Sequence, residues 1–293
     1  MSSNFRITHL QLPINPQLFM NFIIIGCGYV GYALAEHLQQ KKTCVVTATT
    51  TTPQKISKLQ KVAQQALVLK GEDVEGLKSA LQNQDTVLLS IARIGSSTYQ
   101  ETYLQTAKNL VRAVKDNPTV KQIIYTSSSS VYGNFGGNIV DEETQIQPTS
   151  ESGKTLRETE QILLSASNKE LSICVLRLAG IYGPNREIRK IYSRFAGKTL
   201  PGGGKEPANW IHLDDIVGAI DFASRRRLAG IYNVVDDANL TRREVIEKVC
   251  AEHNLEKIKW DSSLESSRSS NARVSNQKLK AAGYKLIHPQ IIF

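Results

Sequence analysis

The sequence predicts an α/β protein with a doubly wound parallel sheet and a smaller C-terminal lobe, and three observations support this class. After Met20, short runs rich in Val, Ile and Leu alternate with longer polar segments of helical spacing, as in successive strand–helix–strand units. The short runs are apolar throughout, which is typical of parallel strands covered on both faces. A chain of 293 residues also has room for one large α/β domain and a second lobe.

The first part of the chain contains the strands and helices of the predicted sheet. We expect strands at residues 22–25, 43–48, 66–69, 86–90, 122–127 and 172–178, where the apolar runs are short. Helices are expected at residues 32–40, 102–115 and 156–166. This order predicts helices on both faces of the sheet.

A glycine-rich loop, GCGYVG, joins the first predicted strand to the first helix. It follows the strand immediately and opens the helix, which is the context that a dinucleotide fingerprint requires. Gly26 permits a tight turn, Gly28 lets the backbone approach a pyrophosphate, and Gly31 lets the helix pack closely on the strand. The amides at the helix N-terminus, near Tyr29 and Val30, would then hold the phosphates. We therefore predict a Rossmann-type domain that binds NAD or NADP, the alternative being a plain strand-to-helix turn.

The end of the second predicted strand favours NADP over NAD. NAD sites usually place an Asp or Glu on the ribose hydroxyls about 20 residues beyond the glycines. The corresponding segment here is a run of threonines without an acid, so no carboxylate would repel a 2′-phosphate. The hydroxyls of Thr49, Thr50 and Thr51, with Lys55, are candidate ligands for that phosphate, although a Thr-rich loop is also a common kind of turn.

The pattern changes after residue 182. Gly and Pro become frequent around residues 201–204, and a predicted strand at 230–235 precedes a helix at 241–253, where Thr241 and Glu244 have capping-box spacing. We predict a disordered extension at 1–19, a dinucleotide-binding domain at 20–182 and a substrate lobe at 183–293, with a return to the first domain near 210–235.

Composition excludes several classes of function. The formal net charge is +9, but the basic residues are spread along the chain, so we expect no nucleic-acid partner. No apolar stretch approaches the roughly 18 residues of a membrane span, and the N-terminus lacks a signal peptide. The four cysteines have no CxxC spacing, and the five histidines form no metal-ligand pattern. We predict a cytoplasmic protein without a metal ion or membrane partner, and its oligomeric state stays open, a dimer included.

Beyond the glycine loop, four further segments carry recognisable motifs. They are YTSSSSVYG at 125–133, RLAGIYGP at 177–184, NWIHLDD at 209–215 and IYNVVDD at 231–237. With them, the chain resembles the extended short-chain dehydrogenase/reductase family, also called the NAD-dependent epimerase/dehydratase family, and especially its atypical members. The resemblance covers nearly the whole chain after Met20.

The resemblance implies a catalytic role for Ser128. In the family, a serine at the end of the fifth strand hydrogen-bonds the reacting carbonyl or hydroxyl, and the motif places that role on this residue. A hydroxyl there can stabilise a developing alkoxide. The alternative is that the serines satisfy backbone groups where the strand becomes a loop.

The sequence departs from the family at the acid/base pair, a tyrosine four residues before a lysine. The matching stretch is PTSESGKTL, and one alignment places Ser152 and Leu156 at the two positions. Counting back from Lys154 gives Ser150 instead. Neither alignment supplies a tyrosine. Lys154 is a weak candidate for a contact with the cofactor ribose or a substrate anion, and a solvated helix residue is the alternative.

The resemblance also implies a substrate side. Arg186 and Trp210 face the substrate in related proteins, and a guanidinium suits a phosphate or carboxylate. His212 is expected to be a structural hydrogen-bonding residue beside Asp214 and Asp215 rather than a base. We predict an NAD(P)-dependent oxidoreductase or epimerase-like enzyme that acts on a sugar nucleotide or another small, anionic alcohol or ketone. The alternative is a non-catalytic sensor of NADP or NADPH.

Overall fold

The computed structural model describes residues 20–42, 44–93, 95–264 and 270–293. The extension predicted at 1–19 lies outside these residues. The strands are β1 (Met20–Ile25), β2 (Cys44–Thr50), β3 (Gln65–Val68), β4 (Thr86–Leu89), β5 (Gln122–Ser128), β6 (Asn134–Val140), β7 (Ser172–Leu178), β8 (Gly180–Tyr182), β9 (Thr199–Pro201), β10 (Trp210–His212), β11 (Gly230–Val234), β12 (Lys259–Asp261) and β13 (Asn271–Val274).

The helices connect these strands in chain order. They are α1 (Tyr29–Lys41), α2 (Ile56–Leu59), α3 (Val74–Ala80), α4 (Thr106–Lys115), α5 (Glu151–Leu164), α6 (Ile188–Ser193), α7 (Leu213–Arg226), α8 (Arg242–Glu252) and α9 (Gln277–Ala281). Short 3₁₀ turns occupy Pro53–Lys55 and Ser129–Tyr132, and a π-helical turn, Gln100–Gln105, leads into α4.

Seven parallel strands form the central sheet, in the order β11-β7-β5-β4-β1-β2-β3. This confirms the predicted Rossmann-type, doubly wound fold. The strand order reverses between β1 and β4, because the chain moves outward to β3 and then returns to the other side of β1. In such sheets, ligands bind outside the carboxyl ends of the strands at this switch point.

The two faces of the sheet are covered by separate sets of helices. In β1, Phe22 and Ile24 face one apolar cluster with α1 and α7, whereas Ile23 and Ile25 face another with α3, α4 and α5. All four side chains are buried, and each contributes roughly 1.5 to 3 kcal/mol to folding through burial. This double coverage explains why the strands lack polar alternation.

A third apolar cluster lies in the C-terminal part of the chain. It joins Tyr182 and Ile188 to Val245 of α8 and to Ile291 near the C-terminus. Three pairs of short parallel strands, β8 with β10, β9 with β12 and β6 with β13, surround the main sheet. The segment from α7 to β11 returns to the central sheet, where β11 pairs with β7. The division into two domains stays a prediction.

Helix ends follow local side-chain chemistry. Thr241 and Glu244 form a reciprocal capping box at the start of α8, at the position that their spacing predicts. Helix α5 begins five residues before the predicted start at 156, because the Ser150 hydroxyl accepts a hydrogen bond from the Gly153 amide and caps the helix. Among the described residues, no helix combines the length and apolar character needed to cross a membrane.

Candidate functional site

A cleft of about 740 Å³ opens at the carboxyl ends of β1, β2, β4 and β5. It lies at the switch point of the sheet. The glycine loop forms one wall, Ser128 and Ser130 lie at the end of β5, and Arg186 closes the side toward the C-terminal part of the chain. The residues around this cleft determine what it can bind.

The three loop glycines meet different surroundings. Gly26 has a φ of +87°, and a Cβ there would lie 2.6 Å from the Ser90 carbonyl oxygen. A Cβ on Gly31 would lie 2.9 Å from Ile24 Cγ2 and 3.1 Å from the Gly26 oxygen, at the contact between α1 and β1. A Cβ on Gly28, by contrast, would meet no atom within 4 Å. The fold therefore needs glycine at the first and third positions, while the second leaves open space.

The end of β2 accepts hydrogen bonds from the backbone of the glycine loop. Thr49 accepts hydrogen bonds from the Gly26 amide through its hydroxyl, at 3.2 Å, and from the Cys27 amide through its carbonyl, at 2.8 Å. Its side chain is buried and does not line the cleft. Thr49 thus supports the backbone of the glycine loop, and its contact with a cofactor stays a prediction.

The next residues of this segment reach the cleft. Thr50, Thr51 and Lys55 line it, and no acidic side chain lies between them. The Thr50 hydroxyl accepts a hydrogen bond from the Thr52 amide at 3.1 Å, whereas Thr51 is exposed. Glu72 and Glu101 are the acids among the lining residues, and both belong to other segments.

Tyr29 and Arg186 join the glycine loop to the C-terminal wall of the cleft. The Tyr29 hydroxyl donates to the Pro184 carbonyl oxygen at 2.8 Å, and the Arg186 guanidinium lies 5.1 Å from the centre of the Tyr29 ring. Val30, which follows Tyr29 in the glycine loop, also lines the cleft. Arg186 is exposed, so its charge is available at the opening.

Trp210 does not line the cleft. Its ring packs edge-on against Tyr182 and Tyr192, at centroid distances of 6.3 and 5.9 Å. A Cβ on Gly180 would lie 2.8 Å from the indole, so the neighbouring strand approaches it closely. The ring packs against the third apolar cluster, and a contact of Trp210 with a substrate stays a prediction.

Ser128 is the last residue of β5 and lines the cleft. Its hydroxyl oxygen accepts a hydrogen bond from the Ser130 amide at 3.2 Å, which caps the following 3₁₀ turn. The hydroxyl proton remains available to another acceptor, because this contact uses only the oxygen. Ser128 can thus cap the turn and donate into the cleft.

A buried ion pair lies directly behind this serine. The Ser127 hydroxyl donates to Glu160 at 2.6 Å, and the Arg177 guanidinium binds both oxygens of that carboxylate at 2.8 to 3.2 Å. Both charged side chains are at most 4% exposed. Sequence reasoning missed the pair, although an arginine inside the apolar strand SICVLRL signals a buried charge that needs a partner.

Helix α5 presents Leu156, rather than Lys154, to the cleft. Leu156 is buried and lines the cleft, whereas Lys154 is 53% exposed, binds Glu151 at 2.6 Å and does not line the cleft. A contact of Lys154 with the cofactor or a substrate stays a prediction. Lys154 and Leu156 lie two residues apart, and side chains at that spacing do not share a face of a helix.

Three tyrosines line the cleft: Tyr29, Tyr99 and Tyr103. Tyr99 and Tyr103 stack with a centroid distance of 5.2 Å beside the π-helical turn, and Arg93 lies 5.8 Å from the Tyr99 ring. Burial raises the pKa of Tyr103, so its phenol is neutral near neutral pH. Sequence reasoning missed this pair, because the π-helical turn that presents it resembles an ordinary helix start in the sequence.

A cluster of His212, Asp214 and His288 lies at the start of α7, outside the lining of the cleft. His212 caps α7 by accepting the Asp214 amide proton at 3.2 Å, which agrees with the structural role predicted for it. His288 comes from the C-terminal segment and lies 2.9 Å from the Asp214 carboxylate. The sequence does not predict that His288 lies beside Asp214, because the two residues are 74 positions apart.

The chain is similar to several known proteins. Protein YeeZ from Escherichia coli (strain K12) is 32% identical over 251 residues, which cover 84% of this chain and 88% of YeeZ. Among solved structures, dTDP-glucose 4,6-dehydratase from Bacillus anthracis str. Ames, in complex with NAD, superposes with a TM-score of 0.76 at 20% identity and covers 92% of each chain.

MoeE5, in complex with UDP-glucuronic acid and NAD, superposes with a TM-score of 0.75 at 20% identity and covers 91% of this chain and 93% of its own. At such identities, both superpositions bear on the fold alone. The sequence model of one family, described as the NAD dependent epimerase/dehydratase family, matches residues 22–235. Together with the similarity to YeeZ, this match shows that the chain belongs to the NAD dependent epimerase/dehydratase family.

Proposed function

We propose that the protein is an NAD(P)-dependent enzyme of the oxidoreductase or epimerase type that acts on a small anionic alcohol or ketone, such as a sugar nucleotide. One observation carries the proposal: the glycine loop and Ser128 line the same cleft. A cofactor on the loop and a substrate oxygen at Ser128 would then share one space. Family membership and the NAD and sugar nucleotide in the two solved relatives support it.

The glycine loop would hold the pyrophosphate of the cofactor. Open space at Gly28 allows close approach to the backbone, and the first amides of α1, at Tyr29 and Val30, carry the positive end of the helix dipole. No acidic residue lies in the first turn of α1, so nothing there opposes a phosphate. The bound cofactor would supply hydride transfer, and the residues of the chain would position its partner.

Ser128 would donate a hydrogen bond to the substrate oxygen on which negative charge develops. Its own oxygen is fixed by the Ser130 amide, so the hydroxyl is oriented before a substrate arrives. The buried Glu160–Arg177 pair anchors the neighbouring Ser127 and thereby holds the end of β5. We propose that Arg186 attracts the anionic part of the substrate at the opening of the cleft.

The test combines cofactor binding with turnover. Purified protein is titrated with NADPH and NADH by fluorescence, and cofactor consumption is then followed with a panel of sugar nucleotides and small ketones. We expect Ser128→Ala to lower kcat by about 100-fold to 1,000-fold, the usual cost of one oxyanion donor, while cofactor affinity stays unchanged. Ser129→Ala is the matched control, because Ser129 does not line the cleft. Full activity of Ser128→Ala would overturn the assigned role.

We further propose that the cofactor is NADP. The support is electrostatic: Thr51 and Lys55 line the cleft at the end of β2, where an NAD site would carry an acid. Thr51→Asp should weaken NADPH binding by about tenfold or more and leave NADH binding nearly unchanged, since a carboxylate repels the 2′-phosphate. Thr52→Asp, one residue outside the lining, is the control. Equal affinities of the unchanged protein for both cofactors would contradict the preference.

A second candidate function is a non-catalytic sensor of NADP or NADPH. The observation that favours it is Leu156, which lines the cleft from α5 where one alignment places the family's lysine. Tight binding without turnover on a broad substrate panel would support the sensor and overturn the enzyme. Failure to bind either cofactor would overturn both. In the enzyme, the proton would come from water or from another residue of the cleft.

We propose a cytoplasmic location. Cys27 and Cys174 are buried thiols, and burial raises the pKa of each to about 12, so neither forms a reactive thiolate near neutral pH. Such thiols suit a reducing compartment. Localisation of the tagged chain in its host by fractionation would test this, and recovery from an oxidising compartment would contradict it.

A further inference from the structure

Three potential metal ligands meet at the start of α7, away from the cleft. The ligand atoms of His212, Asp214 and His288 all lie within 4.8 Å of one another. Asp214 Oδ2 lies 3.3 Å from His212 Nδ1 and 2.9 Å from His288 Nε2. A tetrahedral zinc ion with bonds of about 2.0 to 2.1 Å places its ligand atoms about 3.3 Å apart. The two distances from Asp214 are therefore close to those of a metal site.

The contacts of His212 leave an electrostatic conflict that a cation would resolve. Its Nδ1 accepts the Asp214 amide proton at 3.2 Å, so this nitrogen carries a lone pair. The same nitrogen faces the Asp214 carboxylate at 3.3 Å, which brings two acceptors together. The His288 ring also lies close, with its centroid 4.1 Å from that of His212. A divalent ion would take the Nδ1 lone pair in place of the Asp214 amide and would bind the Asp214 carboxylate and His288 as well.

The surrounding residues hold the two histidines in place. The buried Asp215 carboxylate accepts the amide protons of Ile287 and His288, at 2.6 and 2.9 Å, which fixes the segment that carries His288. On the other side, the Tyr182 ring lies edge-on against His212 with a centroid distance of 5.0 Å. Ligands held in this way lose little conformational entropy when a metal binds.

The charge at this position also suits a cation. The positive end of the α7 dipole would oppose a metal, but Asp214 and Asp215 both lie in the first turn of that helix and offset it. Two neutral imidazoles and one carboxylate form a ligand set that suits zinc and other divalent transition metals. A fourth position would be left for water.

We propose that His212, Asp214 and His288 bind one divalent transition-metal ion of the zinc class, which fastens the C-terminal segment to the start of α7. None of the three residues lines the cleft, so the proposed role is structural and independent of the proposed enzyme activity.

The experiment measures Zn²⁺ binding by the full-length, tag-free chain. Chelator-treated protein is dialysed against Zn²⁺ near neutral pH, bound metal is quantified, and thermal unfolding is followed with and without the ion. We expect one Zn²⁺ per chain and a rise in melting temperature. His288→Ala should weaken binding by about 100-fold or more, beyond the loss typical of an outer-shell substitution, and abolish the rise.

The controls separate this site from incidental binding. His253→Ala removes a histidine outside the cluster and should change neither the stoichiometry nor the rise in melting temperature. His288→Gln removes the ligand while it keeps a polar side chain, and it should behave like His288→Ala. Binding that survives both His288 variants, or the absence of one tightly bound Zn²⁺ in the unchanged chain, would overturn the proposal.

Discussion

Single residues of the glycine loop separate the demands of folding from those of ligand binding. Gly26 adopts a left-handed backbone and lies against the Ser90 carbonyl, so any side chain there would strain the loop. Gly28 has a φ of −91° and a ψ of −141°, and open space surrounds its missing Cβ. Contact with the rest of the chain therefore does not require glycine at that second position.

Alanine at Gly26 should therefore mainly lower stability, whereas alanine at Gly28 should mainly weaken cofactor binding. Gly26→Ala should cost about 2 kcal/mol or more in free energy of unfolding, from the left-handed backbone and the contact with Ser90. Gly28→Ala should cost less than about 1 kcal/mol but weaken NADPH binding by about tenfold or more, because the methyl group would occupy the proposed pyrophosphate position. Denaturant unfolding and fluorescence titration measure the two effects. An equal loss of stability in both variants would contradict this distinction.

Three residues show that a sequence motif does not determine the direction in which a side chain points. Thr49 and Lys154 lie in segments that reach the cleft, Trp210 lies in one that does not, and none of the three lines it. Thr49 pairs with the loop backbone, Lys154 binds Glu151 at the surface, and Trp210 packs against tyrosines. Near Thr49 and Lys154, a neighbour one or two residues away lines the cleft instead, since neighbouring positions of a strand or helix face different ways.

At the scale of elements, a buried carboxylate joins α1 and α7 in addition to their apolar contacts. Asp221 of α7 is 3% exposed and lies 2.6 Å from Lys41 of α1 and 3.0 Å from Arg225. Burial by itself would raise the pKa of Asp221, but the hydrogen bond from Lys41 and the charges of Lys41 and Arg225 outweigh it and lower the pKa. The folded state therefore favours the ionised form.

The lowered pKa of Asp221 determines how stability changes with pH. A folded-state pKa below the unfolded value of about 3.9 gives stability that is fully present above the unfolded value and lost as the pH falls through the folded value. Asp221→Asn should lower the free energy of unfolding by about 2 kcal/mol at neutral pH, less than for a fully buried pair because Lys41 and Arg225 are partly exposed. The difference from the unchanged chain should disappear in strong acid.

Urea unfolding at a series of pH values measures this effect. Asp116→Asn serves as the matched control, because Asp116 is 61% exposed and pairs with Lys78 at the surface. Its substitution should change the free energy of unfolding by less than about 1 kcal/mol at any pH. A pH-independent effect of Asp221→Asn would mean that packing, rather than charge, explains its role.

At the scale of the whole molecule, the C-terminal segment ties the third apolar cluster to the rest of the chain. The Asp237 amide donates to the Pro289 carbonyl at 2.8 Å, and the Ile292 amide donates to the Tyr182 hydroxyl at 3.2 Å. Between them, the Ile291 side chain enters the third cluster. The last residues thus belong to the folded core.

Two adjacent isoleucines provide a direct test of this packing. Ile291 is 7% exposed, whereas Ile292 is 51% exposed. Ile291→Ala should lower the free energy of unfolding by about 2 to 4 kcal/mol, through lost burial and the cavity that remains. Ile292→Ala should change it by less than about 0.5 kcal/mol. Thermal or denaturant unfolding of both variants measures the difference. An equally small loss in free energy of unfolding for both variants would show that the segment is not part of the core.

The sequence by itself determined the fold class and the place of the glycine loop. Parallel strands buried on both faces leave continuous apolar runs, and a strand–loop–helix junction with three glycines leaves a local motif, so both are visible in a single chain. The capping box of α8 was equally visible, because its two partners lie three residues apart. Such features depend on neighbours along the chain.

Only the tertiary structure decided which side chains meet. The Glu160–Arg177 pair joins a helix to a strand, the Tyr99–Tyr103 stack depends on a π-helical turn, and His288 reaches Asp214 across 74 residues. The first and last of these contacts join residues 17 and 74 positions apart, so no local rule of spacing encodes them, because long-range packing sets the distance and direction of each side chain. The same packing turned Lys154 outward and brought Leu156 into the cleft, which is why the chemistry of the site could not be read from its motifs alone.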